Sequence, residues 1–367
     1  MPTDPKSHRA APVAHVAHPV SAASNGRLRF AVIGGGAVGL YMAARLGLSG
    51  QDVILAVRPG RPLAAVAVDE EGEHALAPEV AVRSVSEPPA PDEAPDVLIA
   101  ALKAHQLSDA LPDLLPWIGP RTQLLLPQNG IPWWYFQGEA GPHNGRAVQA
   151  ADPGGNLAAA LPVARVIGCV VHKSMERLAG HQVRAVRAAG DRFVLGRPGG
   201  FAGGVPDPEL LAVAEAFSAA GLPPEVTDRL RDAVWDKLLG NAVLNPLSAL
   251  TRADMASLCG YPPTQALILA AMTEVRNVAR AYGAGHGPGA DPAARLARSA
   301  AVGARGVVRT SMLQDLLAGR PLEVAPLVGA VVELAGLAGV PVPHLETLNA
   351  AAGLLSLRLQ AEREAQD

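Results

Sequence analysis

The run RFAVIGGGAVGLYMAARL, residues 29–46, limits the possible folds more than any other stretch of the chain. Phe30 to Ile33 read as a strand, Leu40 to Leu46 read as a helix, and a glycine turn joins them. A helix that starts directly after a strand presents bare N-terminal amides, and its dipole favours an anion such as the pyrophosphate of a dinucleotide. Gly34, Gly36 and Gly39 fit G-x-G-x-x-G. The first permits the tight turn, the second lets backbone approach phosphate, and the third lets the helix pack on the strand. The expected cofactor contacts here are Gly34, Gly35, Gly36, Ala37, Val38 and Gly39.

The next strand, DVILAV at 52–57, bears on which dinucleotide is taken. An NAD-selective fold usually places Asp or Glu about 20 residues beyond the glycines, to hold the ribose 2′-hydroxyl. This strand ends instead in Arg58-Pro59-Gly60-Arg61, with no acid until Asp69. A carboxylate repels a 2′-phosphate, whereas a guanidinium grips it through two hydrogen bonds. NADP(H) is the cofactor expected, with Arg58 the stronger candidate and Arg61 closer to an ordinary solvated arginine.

The chain has 367 residues, enough for two domains with separate cores. Its 49% hydrophobic content is rich in Ala and Val and contains no uninterrupted apolar run of membrane-spanning length. A net charge of −3, with acids and bases interspersed, gives no basic stripe for nucleic acid or anionic lipid. Cys169 and Cys259 are too few for a disulfide framework, and the ten histidines show no metal-ligand spacing. A cytoplasmic enzyme without metal is expected.

Residues 1–26, rich in Pro, Ala, Ser and His, read as a disordered tail. From 27 to 204 strands alternate with helices: FAVIG, DVILAV, a hairpin-like VAVDEEGEHAL, DVLIAALK and TQLLLPQNG. This pattern predicts a Rossmann-type α/β domain with a parallel sheet. RVIGCVV, and HQVRAV leading to RFVLG, read as an antiparallel addition. From 205 to 367 the chain reads as helices with no convincing strand, a substrate-binding domain whose apolar helices favour a homodimer. The cleft between the halves is the expected site.

Lys103 follows DVLIAAL at the carboxyl end of a strand, where open α/β sheets bind ligands, and Gln128-Asn129-Gly130 follows TQLLLP in the same way. In WDKLLGNAVLNPLSAL, residues 235–250, Lys237, Asn241 and Asn245 recur every four residues and share one helix face, with Pro246 expected to bend or end the ladder. Reduction of a carbonyl creates an alkoxide, which a buried lysine can stabilise and protonate. In RTSMLQDLLAGRPLEVAP, Ser311 and Asp315 lie one turn apart, and Glu323 is expected in the first turn of a helix opened by Pro321. The competing reading of this segment is that Ser311 and Asp315 cap their own helix.

Taken together, GGGAVG at 34–39, LKAHQ at 102–106, QNG at 128–130, KLLGNAVLNPLSA at 237–249 and SMLQD followed by Glu323 resemble the ketopantoate reductase family, in unbroken order over residues 28–360. The resemblance implies a Rossmann domain, a helical C-terminal domain similar to that of 6-phosphogluconate dehydrogenase, and NADPH-dependent reduction of 2-dehydropantoate to pantoate in coenzyme A precursor synthesis. It implies Lys237 as catalytic acid and Asn241, Asn245 and Ser311 as substrate ligands. It also implies Asn129 between cofactor and substrate, Glu323 against the cofactor, and Lys103 and Arg58 on its phosphates.

Three features depart from the family pattern. Met255 stands ten positions after Asn245, where such enzymes often carry a polar residue, and His105 replaces a frequent aromatic. Directly after the QNG turn comes Trp133-Trp134-Tyr135-Phe136, either core packing or an apolar wall suited to a bulkier 2-oxo acid. Competing functions are a reductase of branched or aromatic 2-oxo acids, a β-hydroxyacid dehydrogenase with a similar Lys-x-x-x-Asn pair, and a non-catalytic NADPH-binding sensor.

Overall fold

The computed structural model describes residues 27–61, 64–139 and 141–365; the expected N-terminal tail lies outside them. The N-terminal part runs β1 (Arg29–Ile33), α1 (Ala37–Leu48), β2 (Asp52–Val57), β3 (Val66–Glu70), β4 (Glu73–Ala77), β5 (Ala81–Ser84), β6 (Val97–Ala100), α2 (Leu111–Leu114) and β7 (Gln123–Leu126). It continues with α3 (Asn156–Ala160), β8 (Val166–His172), β9 (Ser174–Arg177), β10 (Gln182–Val186), β11 (Arg192–Gly196), α4 (Pro208–Ala219) and β12 (Pro224–Val226). Helices follow: α5 (Leu230–Thr251), α6 (Met255–Gly260), α7 (Pro262–Ala281), α8 (Pro292–Gly303), α9 (Ser311–Leu317), α10 (Ala330–Ala338) and α11 (Pro343–Glu364). No helix among the described residues is long and apolar enough to cross a membrane.

Eight strands form one sheet in the order β12-β11-β8-β7-β6-β1-β2-β5. From β8 to β5 every pairing is parallel, and β11 joins β8 antiparallel. Strands buried on both faces need apolar residues at every position, which explains the unbroken VLIA of β6. Side chains still alternate between faces. Ala31, Ile33, Leu98, Leu124 and Leu126 enter one core with α5. Phe30, Val32, Val97, Ile99 and Leu125 enter the other with α1 and α4.

Two expectations are corrected. HQVRAV and RFVLG do not stay together: β10 pairs in parallel with β3 in a four-stranded sheet ordered β4-β3-β10-β9, while β11 joins the large sheet. The alternation of β10, with Val183 and Ala185 buried and Gln182, Arg184 and Val186 exposed, suits a sheet with one wet face. The large sheet also takes a strand from beyond residue 204, because β12 pairs with β11. Three residues beginning with proline carry no strand signal of their own. The continuous run of helices begins at α5.

The glycine turn works as its pattern requires. Gly34 has φ +121°, and a Cβ there would lie 2.4 Å from the Ala101 carbonyl oxygen. A Cβ on Gly39 would lie 2.0 Å from the Gly34 oxygen, so α1 can start this close to β1 only without a side chain. We expect Gly39→Ala to cost about 1–3 kcal/mol through overpacking. Thermal denaturation checks this, and an unchanged midpoint would show that the turn yields freely.

Candidate active site

The site lies where α5 rests against the carboxyl ends of β7 and β8. A pocket there is lined by Gln128, Gly130, Val170, Val234, Lys237, Leu238 and Asn241, from both halves of the chain. Helix α5 is continuous from Leu230 to Thr251 and carries Pro246 inside it, so the proline does not end the helix, and Lys237, Asn241 and Asn245 keep their common face.

Lys237 Nζ donates a 2.7 Å hydrogen bond to the Val171 carbonyl at the end of β8. Burial pulls its pKa down from the ordinary lysine value to about 8; Cys169 and Glu323 oppose the fall, and Arg295 of α8 adds to it. Arg295 can approach because position 240 is glycine, where a Cβ would lie 2.3 Å from its Nη2. His172, one residue beyond Val171, is driven to about 3 by burial first, then by Lys237, Arg192 and Arg295, and stands as a neutral imidazole beside the amine. Neither Arg295 nor His172 stands among the site residues expected from the sequence. Neither forms a pattern with Lys237 along the chain.

Glu323 is 7% exposed and joins the lysine electrostatically. It does not lie within a helical first turn: the helix starts at Val324, continuing as a π-turn over Ala325–Gly329, and Glu323 precedes it. Its carboxylate accepts hydrogen bonds from the Ala104 amide and the Asn129 side chain. Burial raises its pKa, and Lys103 is the strongest opposing influence. Asn129 and Glu323 are thus brought together.

The QNG turn meets the same π-turn. Gly130 has φ +87°, a Cβ there would lie 2.3 Å from the Pro326 oxygen, and the next amide, Ile131, donates to that oxygen at 2.9 Å. Asn245 Nδ2 donates to Ser311 Oγ at 3.4 Å, a long bond that sets the two expected substrate ligands side by side. Ser311 is free for this because Thr310, not Ser311, caps α9 by accepting from the Leu313 amide.

Lys103 is engaged elsewhere than at a phosphate. Its Nζ contacts Asp315 Oδ2 at 2.5 Å and the Pro321 carbonyl at 2.9 Å, and Asp315 Oδ1 in turn accepts from Arg320 Nε at 2.9 Å. Asp315 therefore caps nothing and ties the halves together; a phosphate contact from Lys103 requires exchange of this partner. Arg58 and Arg61 are exposed after β2. At the glycine turn Gly36 precedes the first residue of α1, and a Cβ there would meet nothing within 4 Å. A helix N-terminus with open space in front of its amides fits a dinucleotide pyrophosphate.

The aromatic run is core. Trp133, Trp134, Tyr135 and Phe136 are each at most 2% exposed, and none lines the pocket. Tyr135 packs edge-on against Trp235 of α5, whose Nε1 donates to its hydroxyl at 2.8 Å.

The chain matches two family models, Ketopantoate reductase PanE/ApbA over residues 30–133 and its C-terminal counterpart over 229–355. A 2-dehydropantoate 2-reductase of Mesorhizobium japonicum is 37% identical over 341 residues, 92% of this chain and 99% of that protein. The crystal structure of 2-dehydropantoate 2-reductase from Geobacter metallireducens superposes with a TM-score of 0.74 at 25% identity, covering 89% of this chain and all of that one. D-mandelate dehydrogenase, solved with NADH and anilino(oxo)acetate, shares the fold with a TM-score of 0.73 at 19% identity, over 91% of this chain and all of that one. With the lysine and asparagines of α5, the QNG turn and Glu323 gathered at one cleft, the chain belongs to the ketopantoate reductase family, oxidoreductases that reduce 2-oxo acids with a nicotinamide cofactor.

Proposed function

We propose that the protein reduces 2-dehydropantoate to pantoate with NADPH, on the route to pantothenate and coenzyme A. The observation that carries this reading is the buried Lys237 amine, held by Val171 in line with Asn241 and Asn245, in a chain 37% identical to a 2-dehydropantoate 2-reductase over nearly its whole length. The reduced nicotinamide supplies the hydride when bound. Backbone amides from Gly34 to Gly39 hold the pyrophosphate, Arg58 the 2′-phosphate, and Asn129 with Glu323 the ribose near the reacting end.

As the carbonyl is reduced, negative charge gathers on its oxygen. Lys237, protonated below about pH 8, stabilises that charge and passes its proton to the oxygen, then regains one from solvent. Asn241, Asn245 and Ser311 hold the substrate's carboxylate and hydroxyl. A sensor without turnover needs no such proton donor. A bulkier 2-oxo acid has lost its main support, since the tryptophans expected to receive it are packed in the core.

Lys237→Ala should lower kcat by about 10²–10⁴-fold while NADPH affinity by fluorescence titration changes little; equal losses would remove the assigned role. With wild-type enzyme, kcat/KM for 2-oxo acid reduction should be level below about pH 8 and decline above it as the amine loses its proton. A profile flat well beyond that pH would exclude Lys237 as the acid. Absorbance assays should show 2-dehydropantoate turned over more efficiently than phenylpyruvate, and the reverse order would reassign the substrate.

We also place a dimer on the helical domain. Leu354 and Leu357 stand one turn apart on α11, 63% and 66% exposed, an unusual position for paired leucines. Sedimentation should find a dimer that Leu354→Asp with Leu357→Asp dissociates; a wild-type monomer would end the idea.

A further inference from the structure

Four arginines from three separate segments are linked by charge, since Arg58, Arg61 and Arg320 all act on Arg177. Arg58 and Arg61 lie on the loop that leaves β2 and leads into β3. In the small sheet Val68 of β3 pairs with Val183 of β10, and Val183 pairs with Arg177, the last residue of β9. Arg177 therefore stands at the end of the small sheet where that loop enters.

The helical domain delivers the fourth. Arg320 Nε donates to Asp315, whose other oxygen holds Lys103, and the carbonyl of the very next residue, Pro321, also accepts from Lys103. Lys103 follows β6 and Arg58 follows β2, the two strands flanking β1. At the ordinary strand spacing these strand ends are about 10 Å apart, with the glycine turn between them. Electrostatics agree with this placement. Burial first, then the charges of Arg61, Arg320 and Arg58, hold the Arg177 pKa below its usual value, and no carboxylate figures among these influences. Arg177 Nη2 donates to the Gly180 carbonyl at 3.3 Å. Like charges gathered in this way repel one another until an anion joins them.

We propose that Arg177 and Arg320 complete, with Arg58 and Arg61, the site for the 2′-phosphate of the dinucleotide, so that cofactor choice is shared between the β2 loop, the small sheet and the helical domain. The proposal rests on the NADPH reading above. A phosphate monoester offers three oxygens and close to two negative charges, enough to engage several planar guanidinium forks. Because Arg320 is anchored through Asp315 to Lys103, a phosphate bound there also draws the helical domain onto the nucleotide end of the cleft.

The test compares two ligands that differ only in the phosphate, 2′,5′-ADP and 5′-AMP, by titration calorimetry on the full chain. Wild-type protein should bind 2′,5′-ADP more tightly. Arg177→Ala and Arg320→Ala should each weaken 2′,5′-ADP by about tenfold or more and leave 5′-AMP within about twofold, with Arg177→Gln and Arg320→Gln, which keep side-chain volume, behaving alike. An unchanged ratio of the two affinities, or an equal loss for both ligands, would overturn the proposal while leaving NADPH as cofactor. Equal wild-type affinities would overturn it together with the NADPH assignment, and the proton-transfer role of Lys237 would still stand on its own pH profile.

Discussion

The cleft depends on a lysine amine being taken out of water by a helix that rests on the end of a sheet. The lowering of its pKa from 10.5 to about 8 corresponds to a penalty of about 3 kcal/mol on the charged form. That figure is what remains after the charge of Glu323 has opposed the cost of burial, and the Val171 carbonyl accepts a hydrogen bond from the amine. An amine left in water would hold its proton too firmly to be an efficient acid near neutrality, so the burial that destabilises Lys237 is also what suits it to the chemistry.

Holding the amine there requires the helical domain to stay seated, and three contacts do so from different directions. Ile131 donates to Pro326 across the cleft, Trp235 donates to the Tyr135 hydroxyl beneath it, and Lys103 meets Asp315 at its rim. Loss of one partner from a fully buried ion pair costs about 3–5 kcal/mol. The Lys103 side chain is 25% exposed, so its tie to Asp315 is worth less. That makes it the contact most readily exchanged for a phosphate, whereas the aromatic seam is dry and fixed.

Local patterns made much of this legible. The glycine turn, the parallel strands and α5 each follow from contacts within a few residues, as the burial of VLIA and the shared face of Lys237, Asn241 and Asn245 show. Errors arose where the outcome depended on distant partners. HQVRAV and RFVLG are equally strand-like, and only the availability of β3 decided that they part. Pro246 breaks a helix in isolation, yet packing on both sides carries α5 through it. Glu323 follows a proline that looks like a helix start, but its carboxylate bonds to Ala104 and Asn129, and the helix begins after it.

The sequence by itself determined the dinucleotide half of the fold and the line of polar groups on α5, because both rest on periodicity and on the space a glycine leaves. Only the tertiary structure decided which charges are free. Lys103 and Arg58 look alike as cations after strands, and one is held by Asp315 from 212 residues away while the other faces solvent. The same holds for Trp133 and Trp134, whose burial depends on α5 covering them. A side chain's charge and shape are written locally, but its partner is set by how the two domains close on each other.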